Sequence, residues 1–205
     1  MLIARPLPRL VPPPRVEAKS DLEVLELALP GLRLVRPKVF TDDRGYFFES
    51  WSDRRLEGAG IHETWVQDNH SRSTRHTIRG LHFQHPTATS PGQAKLVRCA
   101  RGTIWDVVVD IRPDSPTYRR WLGVTLDDQK NEQLYVPAGF AHGFCVLSAE
   151  ADVTYKVSTY YDASIETGFS WADPSIGITW PVRADEAVLS ARDLAARDLH
   201  LVPHP

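Results

Sequence analysis

The stretch IRGLHFQ, residues 78–84, sets Arg79, Gly80 and His82 inside an otherwise apolar run. A strand that only filled a core would have no use for a guanidinium and an imidazole together. Histidine suits proton transfer, because its unperturbed pKa lies close to neutrality. Such a base needs a carboxylate on its far ring nitrogen to fix the tautomer. An anionic substrate would also need cations, and Arg44, Arg79 and Lys95 each stand beside apolar residues. Two of these have plainer readings: Arg44 in TDDRGY as a solvated turn, Lys95 as a surface lysine at a strand start. Strand parity works against the Arg79/His82 pair, since an ideal strand would point them to opposite faces. Gly80 offers a way out by breaking the pleat.

A second histidine lies in VPAGFAHGF, where Pro137, Gly139 and His142 have the spacing P-x-G-x-x-H. That spacing resembles the second motif of the cupin superfamily, a jelly roll or double-stranded β-helix. In metal-binding cupins a first motif supplies H-x-H and then a carboxylate. The corresponding LHFQH gives His82 and then Gln84, and no Asp or Glu follows for many residues. His85 is out of strand phase with His82. Zinc and iron sites want roughly three or four N, S or carboxylate ligands, and His82 and His142 are the two on offer. The expectation is a pocket without a metal.

These side chains need a frame. LEVLELAL and LRLVRPKVF read as strands around a Pro30-Gly31 turn, and SDRRLEGAG as one short helix behind Ser52. AKLVRCA and GTIWDVVVDI flank Arg101-Gly102 and read as a hairpin. YRRWLGVTL, EQLYVP, GFCVLS and DVTYKVS follow at short intervals, and the tail DEAVLSARDLAARDL is compatible with a helix. Many short β segments with little helix indicate an all-β sandwich or barrel.

At 205 residues the chain is long enough for one well-filled domain, over residues 22–205, behind a Pro/Arg-rich arm at residues 1–21. A net charge of −2 gives no global attraction to nucleic acid or membrane. No apolar run approaches the ~20 residues of a membrane span. Prolines interrupt MLIARPLPRLVPPPR where a signal peptide would need an apolar centre. A cytoplasmic protein is expected, with Cys99 and Cys145 as small buried hydrophobes.

Seven collinear blocks from about residue 29 to 194 resemble the dTDP-4-dehydrorhamnose 3,5-epimerase family. They are KVFTDDRGYFFESW, VQDNHSRS, IRGLHFQ, KLVRCARGTIWDVVVDIR, YVPAGFAHGFCVLS, VTYKVSTYY and LSARD. The resemblance implies a cupin-type jelly roll with a few short peripheral helices, assembled as a homodimer. It also implies epimerisation of a dTDP-linked 4-keto-6-deoxy sugar with no cofactor, since the ketone is already in the substrate. By the same resemblance His82 is the base, Asp193 its orienting carboxylate and Tyr155 the acid on the opposite face of the sugar. Arg44, Glu49, Gln67, Asp68 and Asn69 match nucleotide-contacting positions. Arg79 would hold phosphate, and Lys95 and His142 would line the sugar site. Tyr161 would stack on the thymine, with Glu166 and Arg192 completing the nucleotide pocket. Arg192 stands where the family usually has lysine, which keeps the charge but not the geometry. A mono-epimerase at C3 or C5 would share the catalytic residues. A nucleotide-sugar-binding cupin would need no acid–base pair, and a metal-dependent cupin is disfavoured by Gln84.

Overall fold

The computed structural model describes residues 22–88 and 90–202, so the arm expected over residues 1–21 lies outside the described residues. In chain order the strands begin with β1 (Leu22–Glu26), β2 (Arg33–Pro37), β3 (Phe40–Asp42) and β4 (Gly45–Phe47). A short helix, α1 (Asp53–Gly58), precedes β5 (Gln67–Thr74), β6 (Ile78–Gln84), β7 (Lys95–Arg101) and β8 (Thr103–Asp110). Then come β9 (Trp121–Asp127), β10 (Gln133–Val136), β11 (Phe140–Val146), β12 (Glu150–Val157) and β13 (Glu166–Gly168), with α2 (Ala191–Leu194) near the end.

The strands form two facing antiparallel sheets, a cupin-type jelly roll. One sheet is ordered β1-β2-β10-β7-β12-β5 and the other β13-β6-β11-β8-β9, while β3 and β4 form a separate two-stranded ribbon. Between the sheets pack Leu34, Val97, Leu134 and Val153 from one side and Ile104, Val108, Leu126 and Phe144 from the other. Each such side chain contributes about 1.5–3 kcal/mol when fully buried. The outer face of the five-stranded sheet is also covered, with Leu81, Val107 and Val109 packed under Phe169, Ile176 and Leu199 of the C-terminal segment. Burial on both faces explains why GTIWDVVVDI is apolar nearly throughout.

Two expectations are corrected. The segments around Arg101-Gly102 do not form a hairpin: β7 pairs with β10 and β12, whereas β8 pairs with β9 and β11. The turn instead carries the chain from one sheet to the other. Gly102, at φ +82, donates its amide to Asp128 Oδ2, and a Cβ there would meet the Glu150 carbonyl at 2.3 Å. The helix-compatible tail is helical only over Ala191–Leu194, with a 3-10 turn at Leu199–Leu201. Tertiary pairing overrides its propensity, because the backbone of Val188 bridges Thr77 beside β6. The expected short helix forms as α1, although the Ser52 side chain makes no capping bond.

Candidate active site

Alternation along the strands turns several polar side chains into one open end of the sandwich. On β7, Val97 and Cys99 face the core, so Lys95 faces the same way. On β12 Val153 does, and with it Tyr155; on β11 Phe140 and Phe144 flank His142. Lys95, His142 and Tyr155 line a cleft of about 610 Å³ together with Arg79, His82, Arg192 and Asp193. His82 and His142 come from the five-stranded sheet, Tyr155 and Lys95 from the six-stranded one. The cleft therefore has a functional group on each wall.

Arg79 and His82 share it because β6 is irregular. His142 pairs with His82 but Phe144 pairs with Arg79, so three residues of β6 step against two of β11. Gly80 makes this possible: it lies at φ +136, and a Cβ would meet Gly143 Cα at 2.6 Å. The glycine expected to break the pleat does so.

The carboxylate for His82 arrives from the far end of the chain. His82 Nε2 donates to Asp193 Oδ1 at 2.6 Å. Asp193 sits in α2, where the Ser190 hydroxyl accepts from the Asp193 amide at 3.1 Å. The segment before α2 is fastened to β6, the Ile78 amide donating to the Val188 carbonyl at 2.9 Å. Burial pushes the Asp193 carboxyl up, but the His82 hydrogen bond and charge, with Ser190 and the Gly80 amide, hold it below the usual carboxylate range. It is a charged partner for imidazole at neutral pH.

Lys95 is buried, donates to the His82 carbonyl at 3.2 Å, and is pushed down to about 8 by that burial against the pull of Asp106 and Glu166. Burial pushes the Tyr155 phenol up, with Arg79 opposing and Glu166 adding to it. The phenol is thus held protonated. Arg79 donates from Nε to Ser73 Oγ at 2.9 Å.

Beside the cleft, Gln67 donates to Asn69 Oδ1 at 2.8 Å and accepts from the Tyr161 amide at 3.1 Å. Glu166 on β13 is ion-paired with Arg192. Seven residues singled out from the sequence are not among those lining the cleft: Gln67, Asn69, Tyr161 and Glu166 beside it, and Arg44, Glu49 and Asp68, which are paired elsewhere. Arg44 lies on the β3–β4 ribbon with its side chain 89% exposed, paired to Asp42; Glu49 pairs with Arg55; Asp68, out of phase with Gln67 and Asn69, pairs with Lys156.

Sequence reasoning missed Asp106, whose two carboxylate oxygens each lie 2.9 Å from His142 Nε2. The available signal was an aspartate inside the apolar run IWDVVV. It also missed Ser73 and the work of Gln84. Gln84 donates to the Thr159 hydroxyl and Tyr160 carbonyl and accepts from the Asp162 amide, fastening the loop that carries Tyr161. Among the described residues no group of three or more His, Cys, Asp or Glu side chains is placed to hold a metal ion.

A base with its carboxylate, an opposing phenol and a buried ammonium are the parts for moving protons next to a carbonyl. Known proteins carry the same frame. The chain is 47% identical over 174 residues to the dTDP-4-dehydrorhamnose 3,5-epimerase of Salmonella typhimurium, covering 84% of this chain and 93% of that one. Its fold is similar to the Legionella pneumophila dTDP-6-deoxy-D-glucose-3,5-epimerase crystallised with dTDP-4-keto-L-rhamnose, with TM-score 0.83 and 40% identity over 89% and 95% of the two chains. It is similar as well to the Bacillus anthracis dTDP-4-dehydrorhamnose 3,5-epimerase with TDP and PPi bound, with TM-score 0.82 and 42% identity over 87% and 99%. The family model described as dTDP-4-dehydrorhamnose 3,5-epimerase matches residues 26–200, which takes in both sheets from β2 onward, the cleft and the helix that delivers Asp193. The chain belongs to the dTDP-4-dehydrorhamnose 3,5-epimerase family.

Proposed function

We propose that the chain epimerises dTDP-4-dehydro-6-deoxy-D-glucose at C3 and C5, giving dTDP-4-dehydro-L-rhamnose. The observation that carries this is the placement of a carboxylate-held imidazole and a phenol on opposite walls of one cleft. The C4 ketone acidifies the hydrogens on both neighbouring carbons. His82, with Nε2 committed to Asp193, takes a proton on Nδ1. The electron pair moves onto the C4 oxygen, and the Lys95 ammonium stabilises the enolate. Tyr155 then delivers its hydroxyl proton to the other face and is reprotonated from solvent, as His82 returns its proton there. Arg79 holds the diphosphate, and Gln67, Asn69, Tyr161, Glu166 and Arg192 hold the nucleotide.

The reading extends to a homodimer. Phe40, Tyr46 and Phe47 stand exposed on the β3–β4 ribbon, beside an Arg44 that lies clear of its own cleft. A second copy would cover that apolar patch and receive Arg44 and Glu49 at its own nucleotide site. Among the described residues no helix is long and apolar enough to cross a membrane. Free, buried Cys99 and Cys145 suit the reducing cytoplasm, where we place the enzyme. The test is NMR of the product formed from dTDP-4-dehydro-6-deoxy-D-glucose. Inversion at both centres is expected; inversion at C3 or C5 alone, or none, overturns the assignment.

A further inference from the structure

We propose that Ser73 is a positioning residue that orients the Arg79 guanidinium for the substrate's diphosphate, an inference that rests on the functional reading above. Ser73 is on β5, an edge strand of the six-stranded sheet, and is 6% exposed. Its Oγ accepts from Arg79 Nε at 2.9 Å, so the bond runs from one sheet to a residue of the other at the cleft. The second contact is Arg79 Nη2 to the Arg72 carbonyl at 3.5 Å. That carbonyl is fixed in turn, since β5 pairs with β12 along its whole length and the Arg72 side chain forks onto Asp152 at 2.7 and 2.8 Å.

The chemistry of the partner matters. Arg72, Arg112 and Arg192 each face a carboxylate. Among the described residues Arg79 is held only by a hydroxyl and a carbonyl. Neutral acceptors orient a guanidinium without cancelling its charge. An aspartate at position 73 would orient it equally well and neutralise it. With Nε and one Nη2 N–H occupied, the other Nη2 N–H and both on Nη1 are left for a dianion in the cleft. A serine buried at this point therefore does what neither alanine nor a carboxylate could.

The test titrates dTDP and thymidine into the full chain and its Ser73→Ala, Ser73→Thr and Arg79→Ala variants by calorimetry, with the double variant closing a cycle. Removing the hydroxyl frees one rotamer-rich side chain that binding must then order, so Ser73→Ala is expected to weaken dTDP about three- to tenfold. Thymidine, which has no phosphate, should bind unchanged, and Ser73→Thr should restore dTDP affinity. In the Arg79→Ala background Ser73→Ala should add nothing, and the loss should appear in KM more than in kcat. Equal weakening of both ligands, an unchanged dTDP affinity in Ser73→Ala, or the full loss persisting without Arg79 would overturn the proposal. A parent chain that does not bind dTDP at all would overturn the functional reading itself.

Discussion

Replacing Lys95 by methionine should make the protein more stable and the enzyme nearly inactive. Lys95 is buried and its pKa falls from 10.5 to about 8, desolvation outweighing the attraction of Asp106 and Glu166. At 1.36 kcal/mol for each pH unit between those values, holding the ammonium in the fold costs about 3 kcal/mol at pH 7. The sign follows from proton counts. Between about pH 8 and 10.5 the unfolded chain binds more protons than the folded one. Stability of the parent chain therefore rises with pH through that window, and the cost is fully present below it. Methionine fills a similar volume and carries no charge, so Lys95→Met should gain about 1–3 kcal/mol at neutral pH, allowing for imperfect repacking. The advantage should shrink by about 2 kcal/mol on going to about pH 9.5. Urea unfolding of both proteins at the two pH values measures it, alongside turnover, which should fall about 10²–10³-fold with loss of enolate stabilisation. A variant less stable than the parent at pH 7, or a difference independent of pH, would refute the reasoning.

Three further outcomes are expected. Gly80→Ala should lower stability by about 3 kcal/mol, from the strained positive φ and the contact with Gly143; a melting temperature within a degree or so of the parent would show that the bulge can relax. Burial pushes the Cys145 thiol up to about 11 and the Cys99 thiol up to about 12. Neither should react with a thiol reagent at pH 8 until denaturant is added, and rapid native labelling would contradict their burial. Mixed Arg44→Ala and His82→Asn subunits, each inactive alone, should regain partial activity if Arg44 serves the partner's cleft. No recovery after confirmed subunit exchange would remove Arg44 from that role.

The parts of this fold written in strong alternation and turn residues were legible: β1, β2, α1 and the run of strands from β7 to β12. Side-chain periodicity reports which residues are buried, but not which strand lies beside which. GTIWDVVVDI announced a strand correctly, yet its neighbours turned out to be β9 and β11 rather than β7. Strand β5 gave no apolar signal, because its inward row is Gln67, Asn69, Ser71 and Ser73, set toward the cleft side rather than the core. His82 and Arg79 stood out as polar residues in an apolar run. Asp193 did not, since its meeting with His82 spans 111 positions and depends on the Val188 bridge. The family resemblance supplied it. Asp106 was hidden for a related reason: a lone acid in a buried strand signals a partner without naming His142.

The central claim, that His82 removes the protons next to the ketone, is tested most directly by proton NMR of dTDP-4-dehydro-6-deoxy-D-glucose with the enzyme in deuterated water. The parent chain should wash deuterium into both C3 and C5 as the centres invert. His82→Asn, of similar volume, should lose both exchanges by at least the ~10²–10⁴-fold typical of a general acid–base group, while still binding dTDP. Near-parental exchange at either carbon in His82→Asn would mean that the base lies elsewhere.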